Sequence, residues 1–281
     1  MSVWLFQILL GIVQGLTEFL PVSSSGHLAL ANAVAAANGL ILPETTLVME
    51  VGLHLATVLA VIFVFRRDFG RMIASIFKPG VSSGGYLSRL WSGEYGRLLI
   101  LTLAATIPAA VLGVALGKRI EAVFDEPRYI SLFLIATGLI LLLTHFVAKG
   151  RKGILEIGIW VALAVGCAQA VALLPGISRS GATICMALLL GIVGKDAARF
   201  SLIMSVPAVL GTSALKLLEL LKGDIAISWG MGLGFVAALV VGYLAIHWLV
   251  AVVSRRKLIW FACYCLLAGG GFTVWAWNYY W

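Results

Sequence analysis

Two short stretches hold the residues best suited to chemistry in an otherwise apolar chain. The first, Gln14 to His27, contains a carboxylate at Glu18, three consecutive serines and an imidazole. The second, Gln169 to Gly181, places Arg179 between two serines. Carboxylates and imidazoles transfer protons, hydroxyls act as nucleophiles, and a guanidinium fork binds phosphate or carboxylate oxygens. Together they predict an anion site with a nucleophile, and phosphate is the favoured anion.

The two stretches match each other in order and spacing. Aligned without gaps, they pair Gly11, Gln14, Ser23, Ser25 and Gly26 with Gly166, Gln169, Ser178, Ser180 and Gly181. An ionisable group inside a bilayer costs from about 3 to more than about 10 kcal/mol, so such groups usually face a cavity. We therefore expect the stretches to form two halves of one anion cradle. Its expected lining is Gln14, Ser23, Ser25, Gly26, Ser178, Ser180, Gly181 and Thr183.

The composition indicates an integral membrane protein. Of the 281 residues, 62% are hydrophobic and 11% are charged, whereas soluble domains carry about 25% charged residues. The net charge of +8 comes from Lys and Arg in short segments between apolar runs, a pattern typical of membrane proteins. No nucleic-acid partner is expected. The four cysteines lack the spacing of a zinc site or a disulfide framework.

Residues 3–40 are predicted to form a re-entrant helical hairpin. The apolar run 28–40 is about 18 Å long as a helix, which is short of the hydrocarbon core of about 30 Å. A second hairpin is predicted over 155–194, and a polar arm with a short helix, Phe69 to Phe77, over 66–96. Spanning helices are predicted at 46–66, 97–117, 129–148, 199–220, 227–250 and 258–279.

The predicted fold is an all-α polytopic membrane protein with a single membrane domain, 1–281. One re-entrant hairpin and three spans occur twice, in 1–148 and 149–281. Since three spans cross the membrane and a hairpin does not, the repeats are inverted and their hairpin tips can meet near the midplane. If the first hairpin enters from outside, fourteen of the 20 Lys and Arg residues face inside and five face outside. This bias favours a first loop that opens outward.

Several residues leave alternatives open. Glu18 and Arg179 could form only a structural ion pair. Glu18 could instead handle a proton, orient His27, or hold a divalent cation that bridges to phosphate. His54 and Glu50 share a helix face, where an accessory role and a buried polar pair are equally open. As a different class of function, inverted repeats with broken helices suit a transporter or flippase for an anionic lipid or a phosphate-bearing solute.

Nearly the whole chain resembles the bacterial undecaprenyl-pyrophosphate phosphatases of the bacitracin-resistance type. The resemblance rests on Gln14-x-x-x-Glu18, Pro21-Val-Ser-Ser-Ser-Gly-His27, Glu50-Val-Gly-Leu-His-Leu-Ala-Thr57 and Pro175-Gly-Ile-Ser-Arg-Ser-Gly-Ala-Thr183. It implies removal of the terminal phosphate of undecaprenyl pyrophosphate, which recycles the lipid carrier for peptidoglycan synthesis. It also implies a multi-pass protein of the bacterial inner membrane.

The resemblance assigns catalytic roles to Glu18, Ser24, His27 and Arg179. The first motif position is often Glu in the family and is Gln14 here, so it cannot act as a base or a charged metal ligand. A divalent cation, Mg²⁺ or Ca²⁺, is expected, with Glu18 as its ligand. The expected partners are membrane lipid and a polyprenyl pyrophosphate, and a homodimer is compatible with the sequence.

The mechanistic hypothesis is phosphoryl transfer, in which Arg179 and loop N–H groups bind the pyrophosphate while Ser24 attacks the terminal phosphorus. His27, oriented by Glu18, would accept the serine proton or protonate the leaving phosphate. Two alternatives stay open: direct attack by water with Ser24 as a mere ligand, and a covalent intermediate on His27.

Overall fold

The computed structural model describes residues 3–37, 47–81, 83–124, 126–147, 149–221 and 228–280. Within these ranges the chain is helical, and its only extended pairing is an isolated bridge between Lys152 and Ile192. A 3₁₀ turn, Ile154–Glu156, precedes the eighth helix. The α-helices are, in order, α1 Val3–Thr17, α2 Ser24–Ala37, α3 Leu47–Val64, α4 Arg66–Phe77, α5 Tyr86–Ser92, α6 Glu94–Phe124, α7 Pro127–Phe146, α8 Ile159–Val171, α9 Arg179–Leu189, α10 Gly194–Leu220, α11 Trp229–Ser254 and α12 Ile259–Tyr280.

Six of these helices, α3, α6, α7, α10, α11 and α12, are long and apolar enough to cross a membrane. The six predicted spans are thereby confirmed as helices, and the protein is a polytopic helical membrane protein. The predicted short helix in the polar arm is also present, within α4. Residues 38–40, 46, 148 and 227, at the ends of predicted elements, lie outside the described residues.

Four apolar or amphipathic helices are shorter than a bilayer is thick. Helices α1, α2, α8 and α9 have 15, 14, 13 and 11 residues, so at 1.5 Å per residue they extend about 16–23 Å. Residues 18–23, here called the first loop, join α1 to α2. Residues 172–178, the second loop, join α8 to α9.

The first helix of each pair packs on a long helix from the other half of the chain, α1 on α11 and α8 on α6. A Cβ on Gly11 would lie 2.1 Å from the carbonyl oxygen of Gly234, and a Cβ on Gly166 would lie 2.3 Å from that of Ala105. Only glycine permits backbones to approach so closely. Because Gly11 and Gly166 are matched in the sequence repeat, both halves use the same contact at corresponding positions.

The largest apolar core holds the first loop in place. Phe19, Leu20 and Val22 of that loop are buried in it, beside residues of α7, α9, α11 and α12. A second core, centred on the fully buried Phe200, joins α6, α8, α9 and α10 around the other loop. Burying these side chains positions the polar residues that lie between them.

Candidate active site

The two loops lie against each other, as the repeat predicted. A Cβ on Gly26 would be 2.9 Å from the Cα of Gly176, and one on Gly181 would be 3.3 Å from the Cβ of Pro21. Ser23 adopts a left-handed backbone conformation with φ 65°, which is uncommon for a residue other than glycine. This turn starts α2 at Ser24 and directs the serines toward the second loop.

Glu18 is the centre of the polar network between the loops. Its Oε1 accepts a hydrogen bond of 2.6 Å from Nη2 of Arg179. Its Oε2 accepts bonds of 2.9 Å from Nε2 of Gln14 and 3.1 Å from Oγ of Ser24. The carboxylate side chain is 8% exposed and its Arg179 partner is 22% exposed. Glu18 thus joins the cation of one half to the hydroxyl of the other.

A cavity of about 760 Å³ lies beside this network. Its polar wall includes Glu18, Ser23, Ser24, Ser25, Ser178 and Arg179. The rest of its lining is mostly apolar and comes chiefly from α6, α10 and the second loop. Ligand cavities in proteins are typically about 300–1,000 Å³. The space therefore fits a phosphate-bearing head group at the polar residues with an apolar chain along the apolar lining.

Two helices begin at the polar wall. Helix α2 starts at Ser24 and α9 at Arg179. Ser178 caps α9, because its Oγ accepts a hydrogen bond of 3.1 Å from the N–H of Gly181. Helix N-termini combine unpaired N–H groups with a partial positive charge, which favours anions. Both helix starts thus add to the positive potential of Arg179.

Several predicted substrate-binding residues lie behind the cavity lining. Gln14, Gly26, Ser180, Gly181 and Thr183 do not line the cavity. Thr183 Oγ1 donates to the carbonyl of Arg179 at 2.7 Å and lies 2.6 Å from Ser201 Oγ. Ser180 Oγ lies 3.2 Å from Ser178 Oγ. These contacts brace the second loop and the start of α9, and of the predicted substrate-binding residues Ser23, Ser25 and Ser178 line the cavity.

His27 faces away from the cavity. Its Nδ1 lies 2.8 Å from the carbonyl oxygen of Ser23, which can only accept, so Nδ1 carries a proton. Its Nε2 lies 2.7 Å from the hydroxyl of Tyr264, and the two rings stack. Both ring nitrogens are therefore engaged. In this structure Glu18 does not orient His27, and the ring supports the Ser23 turn.

Among the cavity-lining residues that were not assigned to the site from sequence, three polar side chains are relevant to its chemistry. His54 and Lys216 line it, and Lys216 also pairs with Glu50. His54 donates from Nδ1 to the carbonyl of Glu50 at 2.9 Å and interacts electrostatically with Glu18. Gln169 is the third. The sequence does show that His54 and Glu50 share a helix face and that Gln169 matches Gln14 in the repeat. Neither pattern indicates a cavity.

The described residues contain no group of three or more His, Cys, Asp or Glu side chains arranged to hold a metal ion. Among the described residues of the cavity lining, Glu18 is the only carboxylate, and Arg179 already occupies one of its oxygens. Mg²⁺ is often held by one or two carboxylates together with substrate phosphates. The residues present therefore fit a cation that arrives with a phosphate ligand, and they do not fit a site made by the protein alone.

The sequence is similar to known proteins over almost its whole length. Residues 7–271 match the family described as bacitracin resistance protein BacA. The chain is 38% identical over 270 residues to the undecaprenyl-diphosphatase of Desulfosudis oleivorans, covering 95% of this chain and 96% of that protein. It is 40% identical over 269 residues to the undecaprenyl-diphosphatase of Syntrophotalea carbinolica, covering 96% and 97%. For the undecaprenyl-diphosphatase of Rubrobacter xylanophilus the values are 41% over 259 residues, with 92% of each chain covered. With a match across almost its full length, the chain belongs to the BacA family of bacitracin resistance proteins.

Proposed function

We propose that this protein hydrolyses undecaprenyl pyrophosphate to undecaprenyl phosphate and inorganic phosphate. The observation that carries the proposal is the contact of Ser24 and Arg179 with the same carboxylate, Glu18, in a cavity whose remaining lining is mostly apolar. A hydroxyl, a base and a cation are thereby placed where a pyrophosphate head would lie. The apolar lining suits the prenyl chain.

Arg179 and the starts of α2 and α9 hold the pyrophosphate oxygens. Ser24 Oγ attacks the terminal phosphorus, and its proton passes to Glu18, to which it already donates a hydrogen bond. The bond from this phosphorus to the bridging oxygen breaks, and undecaprenyl phosphate leaves. Water then attacks the phosphoserine and releases phosphate, which restores the hydroxyl. Positioning and charge stabilisation supply most of the catalysis in such transfers.

The catalytic role predicted for His27 stays a prediction. Acting on the substrate would require its ring to leave Tyr264 and turn toward the cavity, whereas His54 already lines the cavity. Because Nδ1 of His54 donates to a carbonyl, a second proton on the ring is carried by Nε2. We assign the protonation of the leaving phosphate to Nε2–H of His54 as an imidazolium, which becomes neutral in the step, with His27 as the support of the serine turn.

A divalent cation, Mg²⁺ or Ca²⁺, is proposed to bind together with the substrate. Glu18 and the loop hydroxyls would hold it, beside oxygens of the pyrophosphate. When bound, it neutralises negative charge on the phosphate oxygens. This arrangement agrees with the single carboxylate of the cavity lining.

The proposed arrangement in the membrane rests on the lengths of the helices and on the distribution of Lys and Arg. The short helices on either side of both loops suit two re-entrant hairpins in inverted repeats, and the matched glycine contacts support that relation. The distribution of Lys and Arg supports a bacterial inner membrane protein with the cavity open to the outer face. A homodimer stays a prediction.

Phosphate release from a C15 or C55 prenyl pyrophosphate by purified protein in detergent tests the function. The wild type should release phosphate, and Ser24→Ala should lose more than about 10³-fold of that rate, as nucleophile deletions do. Ser25→Ala is the matched control, because Ser25 lines the same cavity and is not a nucleophile in this proposal. Near-normal turnover by Ser24→Ala would refute the assignment of the nucleophile. An absence of phosphate release by wild-type protein, with Arg179-dependent uptake into liposomes, would instead indicate a transporter.

A further inference from the structure

Gln169 is an unpaired buried amide in the cavity wall. The residue is 2% exposed, and neither its Nε2 nor its Oε1 has a hydrogen-bond partner among the described residues. It lines the same cavity as Glu18, Ser24 and Arg179. Buried polar groups are nearly always paired in native proteins, so an unpaired one calls for an explanation. Here both ends of one side chain are unpaired, so the observation holds whichever way the amide is turned.

The sequence repeat explains why Gln169 lacks a partner within the protein. Its counterpart, Gln14, donates a hydrogen bond to Glu18, four residues further along. At the position that corresponds to Glu18 the second half has Leu173, which cannot accept a hydrogen bond. The amide that is bonded in the first half therefore has no partner among the described residues in the second.

The backbone holds Gln169 in place. Gly166, one helical turn earlier on α8, lies so close to α6 that a Cβ there would be 2.3 Å from the carbonyl oxygen of Ala105. The α6 residues Thr106 and Ala109 line the cavity beside it. The amide is thus presented from a tightly packed helix rather than from a loop.

The chemistry of an amide limits what can pair with it. Nε2 only donates and Oε1 only accepts. A phosphoryl oxygen satisfies Nε2 but cannot donate to Oε1 unless it is protonated, whereas a water molecule can donate to Oε1. A phosphoryl group with a water beside it satisfies both ends. In GTPases a glutamine orients the attacking water in a comparable way.

We propose that Gln169 positions the water that hydrolyses the Ser24 phosphoester, an inference that rests on the function proposed above. Oε1 accepts a hydrogen bond from this water and Nε2 donates to a phosphoryl oxygen. The water oxygen bonds to phosphorus as the bond to Ser24 Oγ breaks. One water proton stays on the released phosphate; Glu18 returns to Oγ the proton it took from Ser24, accepts the other water proton and then releases it to solvent. No further reactant is needed.

The test is single-turnover kinetics with a prenyl pyrophosphate labelled in its terminal phosphate, followed by quenching and quantification of phosphoserine and free phosphate. Gln169→Met, which keeps length and removes both hydrogen-bonding ends, should form the phosphoserine within about threefold of the wild-type rate. It should release phosphate at least about a hundredfold more slowly, so that labelled protein accumulates. Gln169→Leu provides a second variant of the same kind.

Gln7→Met is the matched control. Gln7 is also a buried glutamine of a short helix, but it bonds to Ser228 and does not line the cavity. This variant should keep both rates and should unfold at a lower temperature, since it loses a bond. Gln169→Met should unfold at the wild-type temperature or higher, because it removes groups that have no partner in the protein.

Three outcomes would overturn the inference: unchanged phosphate release in Gln169→Met, equal slowing of both steps, or a lowered unfolding temperature with normal kinetics. The first two results would show that the amide has no specific role in hydrolysis of the phosphoserine. The third would show that its role is structural. Failure of the wild type to release any phosphate would instead refute the proposed function itself. Phosphate release by the wild type without phosphoserine would refute the covalent step, and with it the role assigned to Gln169.

Discussion

Replacing Glu18 by glutamine separates its chemical role from its structural one. All three partners of Glu18, namely Gln14, Ser24 and Arg179, donate hydrogen bonds to it. An amide has the same shape but offers one acceptor and one donor end. If the acceptor end faces Arg179, Gln14 can turn its own amide and Ser24 can rotate its hydroxyl to accept. The variant should therefore fold, with no base for the serine proton.

The expected loss of stability is small. The charge-assisted bond to Arg179 changes from about 1.5–3 kcal/mol to the 0.5–1.5 kcal/mol or so of a neutral bond. Arg179 is 22% exposed, so water compensates part of its charge. In chains near this size, a loss of 1 kcal/mol lowers the unfolding temperature by about 2–4 °C. A loss of about 1–2 kcal/mol therefore lowers it by about 2–8 °C. The catalytic loss is larger, since a general base contributes about 10²–10⁴-fold to the rate.

Asp68→Asn is the control for this experiment. Asp68 of α4 pairs with Arg199 of α10, and their side chains are 8% and 25% exposed, against 8% and 22% for Glu18 and Arg179. It lies outside the cavity lining. Both variants should lose similar stability by fluorimetry in detergent, but only Glu18→Gln should lose phosphate release. A Glu18→Gln enzyme with more than a tenth or so of wild-type turnover would refute the role of Glu18 as a base.

Three other changes test the surrounding structure. His27→Asn and Tyr264→Phe should each lower turnover no more than about tenfold, because a lost neutral hydrogen bond is worth about 0.5–1.5 kcal/mol. A loss beyond a thousandfold in His27→Asn alone would show that the histidine takes part in catalysis. Gly166→Val should abolish the monodisperse peak in size-exclusion chromatography, since its Cβ would overlap α6, whereas Gly113→Ala, with its nearest neighbour at 3.9 Å, should not. Chelation should stop turnover without changing the unfolding temperature of the substrate-free protein, and a shifted unfolding temperature would reveal a metal site made by the protein alone.

The spans and the meeting of the two loops could be predicted because they depend on local signals. A run of about twenty apolar residues is long enough to span a membrane. Polar residues at the tip of an apolar hairpin are stable only when they contact other polar groups. Within the second hairpin the sequence did not give the start of α9, which lies at Arg179 because Ser178 caps the helix. The Glu18–Arg179 contact was foreseen only as a structural alternative, and the structure makes it the centre of the network.

The orientation of His27 could not be predicted in this way. Its partner Tyr264 is 237 residues away, and only the packing of α12 decides which way the ring turns. The difference between Gln14 and Gln169 was also hidden, although the exchange of Glu18 for Leu173 is visible in the sequence. Its consequence depends on burial, which a repeat alignment does not show.

The packing of α1 on α11 constrains how the protein can be made. Gln7 of α1 accepts a hydrogen bond from Ser228, 221 residues further along and next to the start of α11. A ribosome adds about 5–20 residues per second, so α1 waits about 10–45 s for the helix that covers its polar side. During that time Gln7 lacks the bond from Ser228, whereas Gln14, Glu18 and Ser24 can already bond to one another. A chain truncated before Trp229 therefore leaves Gln7 without this partner and α1 without the helix on which it packs.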